Sequence, residues 1–226
     1  MPVDRPAVLV FDVNETLSDL SGLRHRFEEV GASADLMPRW FAGLLRDGFA
    51  LTAAGGQADF ALLARDGLRW HLSATHGADT ADEAARHIVA GFAELDVHPE
   101  VPDAVRALRA AGYRLVTMTN GSSAVTDKLL TRAGIRDCFE ALWDVSGPGR
   151  WKPDPWAYHY VTERADVRND RALLVAVHPW DIDGAQRAGL SGAWLRRGIP
   201  AHAYPRSLSS PAHTADDLSE LARLLS

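Results

Sequence analysis

The sequence contains a single cysteine, Cys138, among 226 residues. That excludes an intrachain disulfide, a cysteine-based zinc site and a CxxC redox motif, and Cys138 reads as a core thiol in a reducing compartment. Basic excess is also lacking: 24 Lys and Arg face 30 Asp and Glu, a formal net charge of −6, with the arginines dispersed among acids. Nucleic-acid binders carry a basic balance or stripe, so no nucleic-acid partner is expected. No apolar run reaches the length of a membrane span, and Asp4 and Arg5 stand where a secretory leader needs a basic start and a longer apolar run. The expectation is a soluble cytoplasmic protein without a membrane partner. What is present is ordinary for a folded chain, 46% hydrophobic and 24% charged. A chain of this length buries roughly 70% of the surface exposed by its unfolded state and needs no staple in order to fold.

Short apolar runs rich in Val and Leu occur at residues 7–11, 113–118 and 172–177, more weakly at 139–145, and briefly at 192–195. They read as strands buried on both faces. Helical patterns with stop signals lie between them, at 102–111 before Gly112, 123–133 before Gly134 and 181–188 before Gly189. This alternation predicts an α/β fold, a Rossmann-like parallel sheet with helices on both faces and ligands at the carboxyl ends of the strands. Residues 17–96 break the alternation with four amphipathic helices, near 20–30, 37–51, 58–73 and 80–92. The expected organisation is a core domain of residues 1–16 and 97–226 and a helical cap subdomain of residues 17–96 standing over the strand tips.

Four motifs fall at strand ends in order: FDVNETL at 11–17, TNGS at 119–122, WKPDPWAY at 151–158 and HPWDIDGA at 178–185. Together they resemble the haloacid dehalogenase superfamily, and within it the L-2-haloacid dehalogenase (type II) branch, over essentially the full length. The resemblance implies a HAD-like fold with Asp12 as a nucleophile. A carboxylate fixed at a buried strand tip is partly desolvated and therefore reactive. Thr16 is the motif threonine that orients it. Thr119 and Asn120 are implied in holding the substrate carboxylate or the nucleophile, although residues 119–123 also read as a helix N-cap cluster. Lys152, one of very few lysines, is implied to neutralise the paired carboxylates of nucleophile and substrate, and Tyr158 matches the family's active-site tyrosine.

The departures from the family pattern are informative. Phosphatases of the superfamily carry an acid two residues after the nucleophile to protonate the leaving alcohol. Asn14 is an amide and does not serve at neutral pH. They also carry a metal-binding Asp four residues before Asp181, where this chain has Val177; no cofactor or metal is expected. Type II dehalogenases usually have Tyr-Gly at positions 14 and 15; here Asn14 departs from the pattern and implies a differently shaped pocket, while Glu15 reads as a helix-start acid. They usually have Ser and Asn at 176 and 178, whereas this chain has Ala176 and His178. Water activation is therefore expected from an Asp181–His178 pair, the alternative being a His178 that only bonds backbone. The family's anion-holding Arg follows a Trp, but Trp40 is followed by Phe41; Arg39 or Arg46 is a substitute, or each simply faces solvent. Trp40, Phe41, Trp151, Trp156 and Trp180 are candidates for an apolar wall.

The expected function is hydrolysis of small 2-substituted carboxylic acids, foremost (S)-2-haloacids, through an ester on Asp12 and metal-free attack by water. The alternatives are an azetidine-2-carboxylate hydrolase with the same nucleophile, a magnesium-dependent small-molecule phosphatase, and a ligand-binding module without turnover. Homodimers are common in the branch, and nothing in the sequence locates an interface.

Overall fold

The computed structural model describes residues 5–226. It divides the chain into two compact units, one of residues 1–18 and 97–226 and one of residues 19–96. Each is organised around its own apolar interior.

The first unit is built on a sheet of β1 (Val8–Phe11), β2 (Arg114–Thr119), β3 (Ala141–Asp144), β4 (Ala172–Ala176), β5 (Ser191–Leu195) and β6 (His213–Ala215). The strand order is β3-β2-β1-β4-β5-β6 and every pairing is parallel. β1 is central, and all four of its residues are buried, as an unbroken VLVF run requires when helices cover both faces. Because β1 and β4 leave the sheet as neighbours, their tips deliver residues 12 and 177–178 to one place. Chain order reverses direction across β1, the point at which such sheets bind ligands.

The strands at 7–11, 113–118, 172–177 and 192–195 are found within about a residue of the expected limits, and the weak run at 139–145 shrinks to β3. β6 was not foreseen. It is a three-residue edge strand whose sequence, HTA, has no apolar run to betray it. The helices of this unit are Val101–Ala110, Ser123–Arg132, Pro155–Arg164, Pro179–Arg187 and Leu218–Leu225. The third begins with Asp154 accepting from the Trp156 amide at 2.9 Å and with Pro155 in its first turn, where a missing N–H costs nothing. Apolar residues of strands and helices interlock beneath the sheet, with Phe11 edge-on to Phe139 at 5.7 Å. Cys138 is half-buried at the margin of this core rather than inside it.

The second unit is helical: a short helix at Arg24–Glu29 preceded by a 3-10 turn, then Leu36–Ala53, Phe60–His76 and Ala78–Ala90. Asp59 caps the third of these by accepting from the Ala61 and Leu62 amides. Trp40 lies at its centre, 1% exposed, with its indole N–H donating to Ala64 O at 2.9 Å and its rings against Phe27, Phe41 and Phe92. Numbering helices in chain order makes those of this unit α1 to α4, and those of the sheet unit α5 to α9. Among the described residues no helix is long and apolar enough to cross a membrane.

Candidate active site

Asp12 directly follows β1. Its amide donates to Val175 O at 3.0 Å, continuing the ladder to β4 one step beyond the strand and fixing the direction of its side chain. One carboxylate oxygen, Oδ2, accepts from Thr16 Oγ1 at 2.7 Å; the other, Oδ1, accepts from Lys152 Nζ at 2.9 Å. Thr16 is itself oriented by accepting from the Val177 amide at 3.1 Å. A hydroxyl suits this position because it donates to Asp12 and accepts from β4's exit at once.

Lys152 is fully buried, and its ammonium also donates to Asp181 Oδ2 at 2.5 Å. The remaining oxygen of Asp181 accepts from Tyr158 OH at 2.6 Å. The ammonium therefore bridges two carboxylates. Burial alone pushes Asp12 up, but the Lys152 charge and the bonds from Thr16 and Lys152 prevail and hold it below the usual carboxylate range. Burial and the charge of Asp12 push Asp181 up to about 6, against the pull of Lys152. Burial works to neutralise Lys152, and the two carboxylates more than offset it, so the lysine stays charged.

Two features aim this lysine. Asn120, just beyond β2, donates from Nδ2 to Lys152 O at 3.1 Å and accepts from the Lys152 amide at 2.9 Å. Both ends of the Asn120 side chain thus bond the Lys152 backbone, which steadies the segment that carries the cation. Gly184 in α8 supplies the second, because a Cβ there would lie 2.6 Å from both Tyr158 OH and Pro153. Thr119 Oγ1 accepts from the Gly121 amide at 2.9 Å, and Ser122 caps α6, so the N-cap reading of this segment fits its geometry.

Around His178 the side-chain contacts run to Glu15. Asp181 has both oxygens engaged, and His178 Nε2 lies 3.3 Å from Glu15 Oε2. Glu15 is no helix-start acid. Its φ is +63°, and burial together with the charge of Asp12 raises its carboxyl to about 7. Burial lowers His178 to about 4, so its imidazole is neutral near pH 7. The loop carrying Asp12 and Glu15 is pinned by His98, whose Nε2 lies 3.0 Å from Glu15 O, and by Arg197, which donates to Thr16 O at 2.7 Å and to Glu100 at 2.8 Å. None of Glu15, His98 and Arg197 was singled out from sequence as a site residue. The available signal was Glu15 itself, a charged residue in the place of the pattern's glycine.

Asn14 is half-buried, with its amide against Gly121. Trp180 lies tilted over His178, with ring centroids 5.2 Å apart, and 6.0 Å from the Lys152 ammonium. Trp151 is buried, whereas Trp156 is 53% exposed and edge-on to His159. In the helical unit Arg39 is exposed on α2, Arg46 pairs with Asp47 at 2.8 Å, and Phe41 is buried. The contacts of the Trp40 indole are those of helix packing.

These residues do not fit a magnesium centre of the phosphatase kind. Position 14 is an amide, position 177 an aliphatic, and the Lys152 ammonium lies between Asp12 and Asp181. Among the described residues no three His, Cys, Asp or Glu side chains converge as a metal site.

A buried aspartate at a central strand tip, with one carboxylate oxygen on a lysine and the other on a threonine, is an arrangement in which a carboxylate is fixed and partly desolvated. Residues 6–189 match the family of haloacid dehalogenase-like hydrolases, and the chain belongs to that family. It is 27% identical over 218 residues to (S)-2-haloacid dehalogenase 1 of Pseudomonas sp. (strain CBS-3), covering 96% of this chain and 95% of that one. To (S)-2-haloacid dehalogenase 4A of Burkholderia cepacia it is 27% identical, with 99% and 96% covered. The structure of L-2-haloacid dehalogenase from Xanthobacter autotrophicus shares the fold, with a TM-score of 0.88 at 22% identity over 97% of this chain and 98% of that one.

Proposed function

We propose that the chain is a cytosolic (S)-2-haloacid dehalogenase. The observation that carries this reading is the state of Asp12: ionised, buried, with one oxygen on Lys152 and the other on Thr16. Such a carboxylate is a poor proton donor and a fixed nucleophile. Asp12 attacks the α-carbon of the acid in line, forming a C–O bond as the carbon–halogen bond breaks and halide leaves. Water then attacks the ester at Asp12 Cγ, so the hydroxy acid departs and the aspartate regains its carboxylate with one oxygen from water. Only the first step touches the chiral carbon, and backside attack turns an (S)-haloacid into an (R)-hydroxy acid.

Lys152 balances the negative charge that gathers when an anionic substrate meets an anionic nucleophile, and Asp181 with Tyr158 keeps it aimed. Thr119, Asn14 and Trp180 are proposed to border the substrate.

The test is a single turnover with (S)-2-chloropropionate in oxygen-18 water, using enzyme in excess. One labelled oxygen is expected in Asp12, with chloride released in the presence of a chelator and both lost in Asp12→Asn. Chloride release that survives Asp12→Asn, or label confined to the product, would overturn the reading.

A further inference from the structure

Glu15 occupies a backbone conformation that suits glycine. At a φ of +63° its Cβ crowds the backbone, strain that a glycine would not carry. The loop holds it there regardless, through His98 on its own carbonyl and Arg197 on that of Thr16. The result is a carboxyl 3.3 Å from Nε2 of His178, the N-cap residue of α8, at the tips of the two strands that meet at Asp12.

Building on the dehalogenase reading, we infer that Glu15 is the base for ester hydrolysis, taking a proton from the attacking water, with His178 as its positioning residue. The Glu15 carboxylate accepts one proton as the water oxygen bonds to Asp12 Cγ. Collapse of the tetrahedral intermediate breaks the ester C–O bond, and the departing alkoxide takes the proton from Glu15 to become the hydroxy acid. The second water proton is left on Asp12, which returns to its carboxylate beside Lys152 by releasing that proton to solvent.

The groups around this pair explain why the base is ready only at the second step. Asp12 faces it from the end of β1, Lys152 acts from the loop before α7 on Asp12 and His178, and His98 and Arg197 hold the loop backbone. Burial and then the charge of Asp12 keep Glu15 near 7, partly protonated, while the nucleophile is free. Formation of the ester erases the Asp12 charge, the Glu15 pKa falls, and the carboxylate appears when water must be deprotonated. Asp181 is less suited to this role, because Lys152 and Tyr158 occupy its two oxygens. His178 is held near 4 and is a weak base.

Glu15→Gln separates the two half-reactions. A stoichiometric burst of chloride from (S)-2-chloropropionate is expected at close to the wild-type rate, followed by a stall. The Asp12 ester should accumulate, visible in the intact mass, and should decay about 100-fold more slowly than in wild type. In wild type the decay should accelerate as pH rises through an apparent pKa below 7; in Glu15→Gln it should be flat. His178→Gln should keep the pH-dependent limb with a smaller loss. Ester decay unchanged in rate and pH profile in Glu15→Gln would overturn the inference, as would a burst slowed as much as turnover with no ester accumulating. Should Glu15→Gln fail to fold, Glu15→Gly is expected to show the same burst and stall, and ester decay there at the wild-type rate overturns the inference. Absence of a burst or of label in wild-type Asp12 is a different failure, that of the dehalogenase reading itself.

Discussion

Two clusters of charge in this molecule are near mirror images. In the helical unit one acid, Asp82 of α4, is surrounded by three arginines: Arg65 at 3.0 Å, Arg86 at 2.9 Å and Arg69 at 3.8 Å. In the sheet unit one cation, Lys152, is gripped by two acids, Asp12 and Asp181. The partners of Asp82 are between 36% and 56% exposed, whereas Lys152 and Asp181 have no exposed side-chain surface. Solvent shares the work of stabilising the first cluster and is excluded from the second. A contact of the same length therefore carries a different energy, and only the buried version holds a poorly hydrated carboxylate in one geometry.

The largest break of that comparison is Lys152→Met. It keeps all but the terminal atom of the side chain's length and leaves two buried carboxylates facing each other, a loss expected to cost about 3–5 kcal/mol in urea unfolding and to abolish halide release. The two acids then have raised pKa values in the folded state. A carboxyl raised on folding contributes stability below its unfolded pKa and loses it as pH rises through the folded value. The deficit of the variant should therefore shrink as the pH is lowered from about 7 toward about 4. A variant equally destabilised at both pH values would mean that the ion pair is not what holds the strand tips.

Glu15→Gly probes the boundary between the two regimes, because the Glu15 side chain is 42% exposed yet sits beside the buried cluster. Relief of the left-handed strain gains up to about 1 kcal/mol, less the extra freedom glycine gives the unfolded chain. The expected outcome is an unchanged or higher urea midpoint together with accumulation of the Asp12 ester. A clear fall in midpoint would assign the carboxyl a structural role in holding the loop.

The strands and the buried cluster were legible because both rest on local patterns. Runs of four to six residues rich in apolar side chains mark β1, β2 and β4, and a carboxylate at the end of the first marks the site. Lys152 was legible as a rare lysine between a Trp and a Pro. Its clamp was not, since Asn120 and Lys152 are 32 positions apart and only the fold brings an amide side chain onto that backbone. The contact between His178 and Glu15 is hidden for a related reason: 163 positions separate them, and only the adjacency of β1 and β4 brings them together, while Lys152 and Tyr158 engage the oxygens of Asp181. His98 and Arg197 act through backbone carbonyls of the loop, and such contacts leave no trace in residue type.

The smallest effect is expected at Asp82→Asn, and it sharpens the contrast through salt. Asp82 is held below the ordinary carboxylate range, first by the hydrogen bond from Arg65 and then by the charges of Arg86 and Arg65. Its partners stay hydrated, so each attraction is shared with water and ions. The substitution should lower the melting temperature slightly at low ionic strength. In about 1 M salt, where screening acts over roughly 3 Å, the gap to wild type should close. The Lys152→Met deficit should persist at the same salt, because mobile ions do not enter a site with no exposed surface. A difference at Asp82 that also survives high salt would show α3 and α4 to be joined by a screened-off contact, and exposure would then cease to explain why the two clusters differ.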